Sequence, residues 1–470
     1  MKAFTEPLLS LAGFEEMTKT AEKSSGLISV TGCIDAQKSQ MIYAFGGHRK
    51  NKLIVTFGEQ KAKELYDEYT FFDKEVVYYP SKDVLFYQSD IRGNLLTAER
   101  IRALKAIREQ ERVTLVTTFD ALMNTMAPIE KMWENVLTLE QGQLLDLKEI
   151  QAALIRMGYE KEYQVQTMGQ FSVRGGILDV FPLTEENPIR IELWGDEIDT
   201  IRYFDCESQK SIENIDRVSI YPAAELVLSD EEKAGGIEKL KAEAKRVSDK
   251  LRKQMKTEEA HRVTVMADEL IEEWGELSMY AGMDAFLSYF FDERVGLLDY
   301  FKPSDSLIFF DELTRCTEQG KLTETEFSES MKQRLAMGYI LPGQMNGLFT
   351  EKEIVAKLEK YSCIALGALD NKANGLHQLG SYGIHCQSVS PYNNSFELLI
   401  KDLKRYKEDG YRVILLSGSR TRAKRLSEDI TDQGITCFYT ENYDHELFEG
   451  QIMVCYGKVR RGFEYPILKF

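Results

Sequence analysis

A chain of 470 residues, 43% hydrophobic and 29% charged, has the balance of a soluble globular protein and is too long for one ordinary core, so its length suggests about three domains. Its formal charge of −17 sets the surface against a phosphate backbone and excludes a broad nucleic-acid-binding face over most of the chain. No uncharged apolar run reaches membrane-spanning length, the acidic start MKAFTEPLLSLAGFEEM is not a secretory leader, and the seven scattered cysteines and five histidines lack metal-ligand spacing; a cytoplasmic protein with reduced thiols, no metal and no membrane partner is expected.

The first 140 residues alternate apolar runs (ISVTG, KLIVTFG, VVYYP, TLVTTF) with helical patterns. In LLTAERIRALKAIREQ, Leu96, Ile101, Leu104 and Ile107 recur at helical spacing. Such alternation predicts a parallel sheet covered by helices, RecA-like or Rossmann-like, with residues 1–143 as the first part of this α/β core. After a helix around 146-DLKEIQAALIRMGY-159, the signal from 163 to 224 is short strands punctuated by Gly-Gly, Glu-Asn-Pro and Gly-Asp turns. It predicts an inserted, small, mainly antiparallel β domain at 144–224. Its 15 acidic against 8 basic side chains point to a protein partner rather than DNA.

Residues 230–258 read as a polar helix or helix pair, and 306-SLIFFDEL-313 restores a buried-strand signal, which makes 225–349 the second part of the core. The Pro/Gly-rich 340-ILPGQMNGLF-349 suggests another boundary. Beyond it, at 350–470, a small α/β domain is expected: helix SFELLIKDLKRYKEDG, strand YRVILLSG, helix SRTRAKRLSEDITDQG capped by Ser419, and strand ITCFYT. The basic clusters 404-KRYK-407 and 420-RTRAKR-425 read as solvated helix faces. The apolar ending 463-FEYPILKF-470 lacks polar fraying and suggests an artificial boundary rather than a native C-terminus.

One stretch carries chemistry. In 32-GCIDAQKS-39 the spacing of a phosphate-binding loop, G-x-x-x-x-G-K-[ST], is kept by Gly32, Lys38 and Ser39, but Gln37 stands where the last glycine lets backbone N–H groups wrap a β-phosphate. Asp35 adds a negative charge inside the would-be anion nest. The companion strand 308-IFFDE-312 ends in Asp311 and Glu312, as a strand offering carboxylates to Mg²⁺ and to an attacking water would. An arginine-finger motif is missing, 458-KVRRGFEYP-466 being the nearest approach. The expectation is a degenerate nucleotide site closed by the Gln37 side chain, without catalytic residues.

The phrases GQFSVRGGILDVFP and RIELWGDEID, within 158–226, closely resemble the UvrB-homology segment of the bacterial transcription-repair coupling factors (the Mfd family); 77-VYYPSKDVLFY-87, Glu99-Arg100-Ile101 and 113-VTLVTTFDALM-123 agree with it. The resemblance implies a UvrB-like fold with a degenerate nucleotide site, an inserted domain that binds UvrA and a further small α/β domain. It also implies an RNA-polymerase-binding module and an ATP- and Mg-dependent DNA motor beyond residue 470, no cofactor for the present segment, and masking of the UvrA surface by a C-terminal domain of the same protein. In UvrB, arginines of a Y-x-R element and of an F-R-V-R-G phrase contact UvrA. Carried onto 159-YEK-161 and 171-FSVRG-175, they fall on Lys161, a conservative replacement, on Arg174, which is kept, and on Ser172, where one is lost. Phe171 and Phe181 are included in the same candidate surface, although their strand-like runs favour the core over a contact. Arg174 could instead brace the sheet by pairing with Asp179 or Glu192.

A UvrB proper, a DNA-dependent ATPase of excision repair, is the competing reading. Gln37, the absence of a long Tyr-rich hairpin between Tyr79 and Val113, and the missing second helicase lobe count against it.

Overall fold

The computed structural model describes residues 1–45, 49–82, 94–276, 282–370, 375–393 and 395–470. Most of the loop quoted at 77–87, and part of the Tyr79–Val113 stretch, lie outside these residues.

The four early apolar runs form strands β1 (Gly26–Thr31), β2 (Asn51–Thr56), β3 (Val77–Tyr79) and β4 (Val113–Thr118). Their near-continuous burial fits strands covered on both faces. The chain then leaves this sheet. Strand β5 (Leu137–Glu140) pairs antiparallel with β12 (Arg217–Ile220), and between them β6 (Glu160–Lys161), β7 (Gln170–Arg174), β8 (Ile177–Val180), β9 (Ile189–Trp194), β10 (Glu197–Phe204) and β11 (Ser211–Ile215) make a second sheet in the order β11-β10-β9-β8-β7-β6. Only its β6–β7 pair is parallel. The helix Leu147–Arg156 starts at Asp146, whose side chain accepts from the Lys148 and Glu149 N–H groups, and buries Ile150 and Leu154 with Phe171, Leu178, Ile191 and Ile198. Because β5 belongs to this unit, the insertion begins at about 137 rather than at 144.

The chain returns through β13 (Ser306–Asp311), β14 (Ser362–Leu366) and β15 (Gln378–Gly383). They complete a seven-stranded sheet of order β15-β1-β14-β13-β2-β4-β3, parallel at every pairing. The expected α/β parallel-sheet core is what the structure contains. The boundary expected at 350 is corrected: β14 and β15 lie on either side of β1, so the core runs past residue 383, and 342–347 is a 3₁₀ turn inside it.

Beyond β16 (Gln387–Ser388) comes the smaller unit, a three-stranded parallel sheet of β17 (Val413–Ser417), β18 (Phe438–Tyr439) and β19 (Ile452–Tyr456), with β19 in the middle and helices Phe396–Glu408 and Arg420–Asp432 packed beside it. Strand β20 (Phe463–Glu464) pairs with β16 and ties its end to the core. Arg420, Arg422, Lys424 and Arg425 are exposed on their helix, the solvated face expected of them. The 230–258 segment is a long helix, Asp230–Lys253, followed by a second, Thr257–Glu276, which share a separate apolar cluster around Leu240, Val263 and Trp274. No helix among the described residues is long and apolar enough to cross a membrane.

Candidate functional site

The degenerate loop sits at the carboxyl end of β1, and the acidic pair at the carboxyl end of β13, both bordering β14. This is where open α/β sheets place ligands. The details are not those of a nucleotide cradle. Helix Asp35–Phe45 begins three residues before Lys38, so the residues that should wrap a phosphate are already wound into helix. Gly32 (φ +77°) and Cys33 donate their N–H groups to the carbonyls of Ala368 and Gly367, in the loop after β14. A Cβ on Gly32 would come within 2.1 Å of the Ile384 carbonyl oxygen, just past β15.

Lys38 is 1% exposed and ion-pairs with Asp311, with Glu312 at 3.0 Å and with Asp35 at 3.2 Å. Burial alone would lower its pKa, but Asp311 and Glu312 outweigh burial and hold the ammonium above its usual range. Lys61, a residue the sequence reading passed over, joins Asp35 at 3.0 Å and faces the buried Asp311 Oδ2 at 4.0 Å. No spacing signal marks it, since it lies on the next helix, Glu59–Tyr69. Glu312 holds a left-handed backbone (φ +59°), a conformation costing a non-glycine residue about 1–2 kcal/mol, and also accepts the Ala368 N–H. The lysine that would meet phosphate is thus spent on the carboxylates that would hold Mg²⁺. These residues do not fit a nucleoside triphosphate.

Gln37 is fully buried in the first turn of the helix, so a side chain occupies the position of the loop's last glycine, beside the ion pairs of Lys38. Ser39 bonds Glu68 rather than standing ready for a metal, and among the described residues there is no cluster of acids, histidines and cysteines suited to a metal ion.

On the inserted sheet, alternate residues face the helix Leu147–Arg156 or solvent. Phe171 is fully buried and Phe181 is 8% exposed. Their placement on a contact surface is corrected, because both rings are in the interior. Arg174, 38% exposed at the side chain, precedes the turn at Gly175 (φ +62°) and donates to Asp179 at 2.8 Å. Asp179 is 1% exposed and also takes two bonds from Arg190, at 2.7 and 2.8 Å. Bracing and exposure therefore coexist in Arg174. Lys161 is exposed, but it is paired with the inward-facing Phe171 and bonds Gln151 on the covering helix. It lies at the sheet edge on the side away from Arg174, so the two are not neighbours on one face.

Residues 137–226 match the UvrB interaction domain family. The chain is 27% identical over 418 residues, 88% of its length, to the transcription-repair-coupling factor of Bacillus subtilis, of which this covers 35%. For the factor of the same name from Staphylococcus epidermidis (strain RP62A) the figures are 26% over 452 residues, 94% of this chain and 37% of the relative; for Staphylococcus aureus (strain MRSA252), 26% over 462 residues, 96% and 38%. The chain is similar to transcription-repair-coupling factors. The resemblance carried by the phrases at 158–226 thus extends over nearly the whole chain, which spans a little over a third of the length of the coupling factors it matches. The matched domain begins where β5 begins and takes in the whole second sheet.

Proposed function

We propose that this chain is the UvrA-recruiting platform of a transcription-repair-coupling factor, linking stalled RNA polymerase to nucleotide excision repair. The observation that carries the reading is the self-contained second sheet at 137–226, matched to the UvrB interaction domain family and presenting a half-exposed Arg174. A guanidinium beside a turn can offer a planar fork to a carboxylate of UvrA. RNA polymerase and DNA would be engaged through the rest of a longer protein, whose motor uses ATP and Mg²⁺, and a C-terminal domain would mask the UvrA surface at rest. The segment itself takes no cofactor and hydrolyses no nucleotide in this reading, since Lys38 is held in ion pairs by Asp311 and Glu312.

The test pairs two measurements on the purified chain. Biolayer interferometry against UvrA is expected to give saturable binding that Arg174→Ala weakens several-fold while melting is unchanged, because Arg190 keeps Asp179 paired. Turnover of Mg·ATP, with and without single-stranded DNA, is expected to stay at background. No UvrA binding by the folded wild type would end the platform reading. DNA-stimulated hydrolysis would favour the UvrB-like ATPase instead.

A further inference from the structure

The inserted sheet leaves a tryptophan without shelter. Trp194, at the end of β9, is 85% exposed, whereas Trp274 is fully buried. Trp194 is paired across the hairpin with Glu197, and Glu197 is bridged on its other side to Leu144, itself 74% exposed. Directly paired residues share a sheet face, so Leu144, Glu197 and Trp194 form one row across three segments. Their neighbours on the ladder, Leu193 and Ile198, point into the core, which puts the row on the solvent side.

Arg174 is on that side too. It pairs with Ile177, Ile177 with Glu192, and Glu192 is two residues before Trp194 on the same strand. Two strand spacings across and two residues along separate Arg174 from Trp194 by roughly 12 Å. Both fit within one interface patch of about 800 Å². Tryptophan and arginine are the residue types that dominate interface energetics, and an indole held on a short hairpin loses little freedom on binding.

The indole also borders an open groove of about 710 Å³ lined by Glu140, Glu197, Asp199, Asp216 and Arg217. Arg217 pairs with Glu140 at 3.1 Å, leaving three carboxylates in excess. A partner seated here would bring an apolar pocket with a basic rim.

We propose that Trp194, flanked by Leu144, is the aromatic anchor of the surface that docks UvrA, inserting into an apolar pocket whose basic rim faces Glu197, Asp199 and Asp216. This rests on the platform reading and adds to it the residue expected to dominate affinity. The test uses the chain labelled with 5-fluorotryptophan, whose three tryptophans give three fluorine resonances, that of Trp194 being assigned by its loss in Trp194→Phe. Adding unlabelled UvrA is expected to shift the Trp194 resonance. In interferometry, Trp194→Ala should weaken UvrA binding at least tenfold and Trp194→Phe less than threefold, while Glu197→Lys should weaken it more at low salt than at high. If wild type binds UvrA but the Trp194 resonance stays put or Trp194→Ala binds equally well, the anchor is wrong and the platform stands. If folded wild type does not bind UvrA, both fall.

Discussion

Lys38 keeps a motif's spelling while its ammonium is held by carboxylates. The motif was legible in the sequence, as was the acidic pair far along the chain. Their mutual pairing was not, because a pattern records residue types at positions and not which charges meet. Two outcomes follow from the geometry. Gln37→Gly, which repairs the motif on paper, is expected to leave Mg·ATP binding undetectable by calorimetry, since the helix start at Asp35 and the Lys38 ion pairs remain. A measurable affinity would mean that the side chain at 37 is the barrier after all. Lys38→Met leaves the 1%-exposed Asp311 without its closest cation and is expected to cost about 3–5 kcal/mol in urea denaturation, the scale for breaking a buried ion pair from one side. A loss within 1 kcal/mol, read at an unchanged slope, would contradict that assignment.

Among the elements, the strands easiest to read were those buried on both faces, such as 113-VTLVTT-118 and 306-SLIFFD-311, where an apolar run is the fold's own requirement. Strand β15, QLGSYG, was not legible: it is an edge strand with a largely exposed, polar sequence, placed by pairing with β1 rather than by its own pattern. Equally silent was the polar joint between core and insertion. Arg100, fully buried on helix Asn94–Glu109, donates to Glu225 at 2.6 and 3.1 Å and to the Pro80 carbonyl, and lies over the Tyr79 ring at 4.0 Å. Lys82 meets Glu225 at 3.0 Å and also pairs with Asp284. Burial alone would raise the Glu225 carboxyl, but Arg100 and Lys82 outweigh it and bring its pKa from 4.5 to about 2. Because the folded value is depressed, the stabilisation is present above pH 4.5 and drains away as pH falls toward 2. By linkage it is on the order of 3 kcal/mol. Wild type should therefore lose stability steeply over that window, and Glu225→Gln should be destabilised near neutral pH yet lose less on acidification. Parallel stability curves for the two proteins from pH 6 to pH 3 would remove Glu225 from the account.

At the scale of the whole molecule, three units share the chain and their joints differ in composition. The insertion joins the core through the charged Arg100–Glu225 seam together with Leu183 and Tyr221, buried in the core's own apolar cluster, whereas the small C-terminal unit is held largely by aromatic packing. Phe4, from the first helix, is 5% exposed and meets Phe71 and Phe72 edge-on at 5.4 and 5.8 Å, in one cluster with Leu447, Met453 and Cys455 of the small unit. Outside this cluster, Arg460 pairs with Glu64, and Tyr465 bonds Gln40 on the degenerate-loop helix. None of this was legible beforehand, for Phe4 stands in a short opening segment and its partners come from both ends of the chain. An exposed ion pair such as Arg460–Glu64 contributes little, so the aromatic cluster is the joint that matters. Phe4→Ala should cost about 3–5 kcal/mol. Because the cluster bridges two units, the loss should be unequally distributed. Hydrogen exchange is expected to rise first in 413–417 and 452–456, while β1, β13 and β14 in the core keep their protection. A uniform rise across both sheets would instead mean that core and C-terminal unit unfold as one, with the aromatic cluster as interior rather than as a joint.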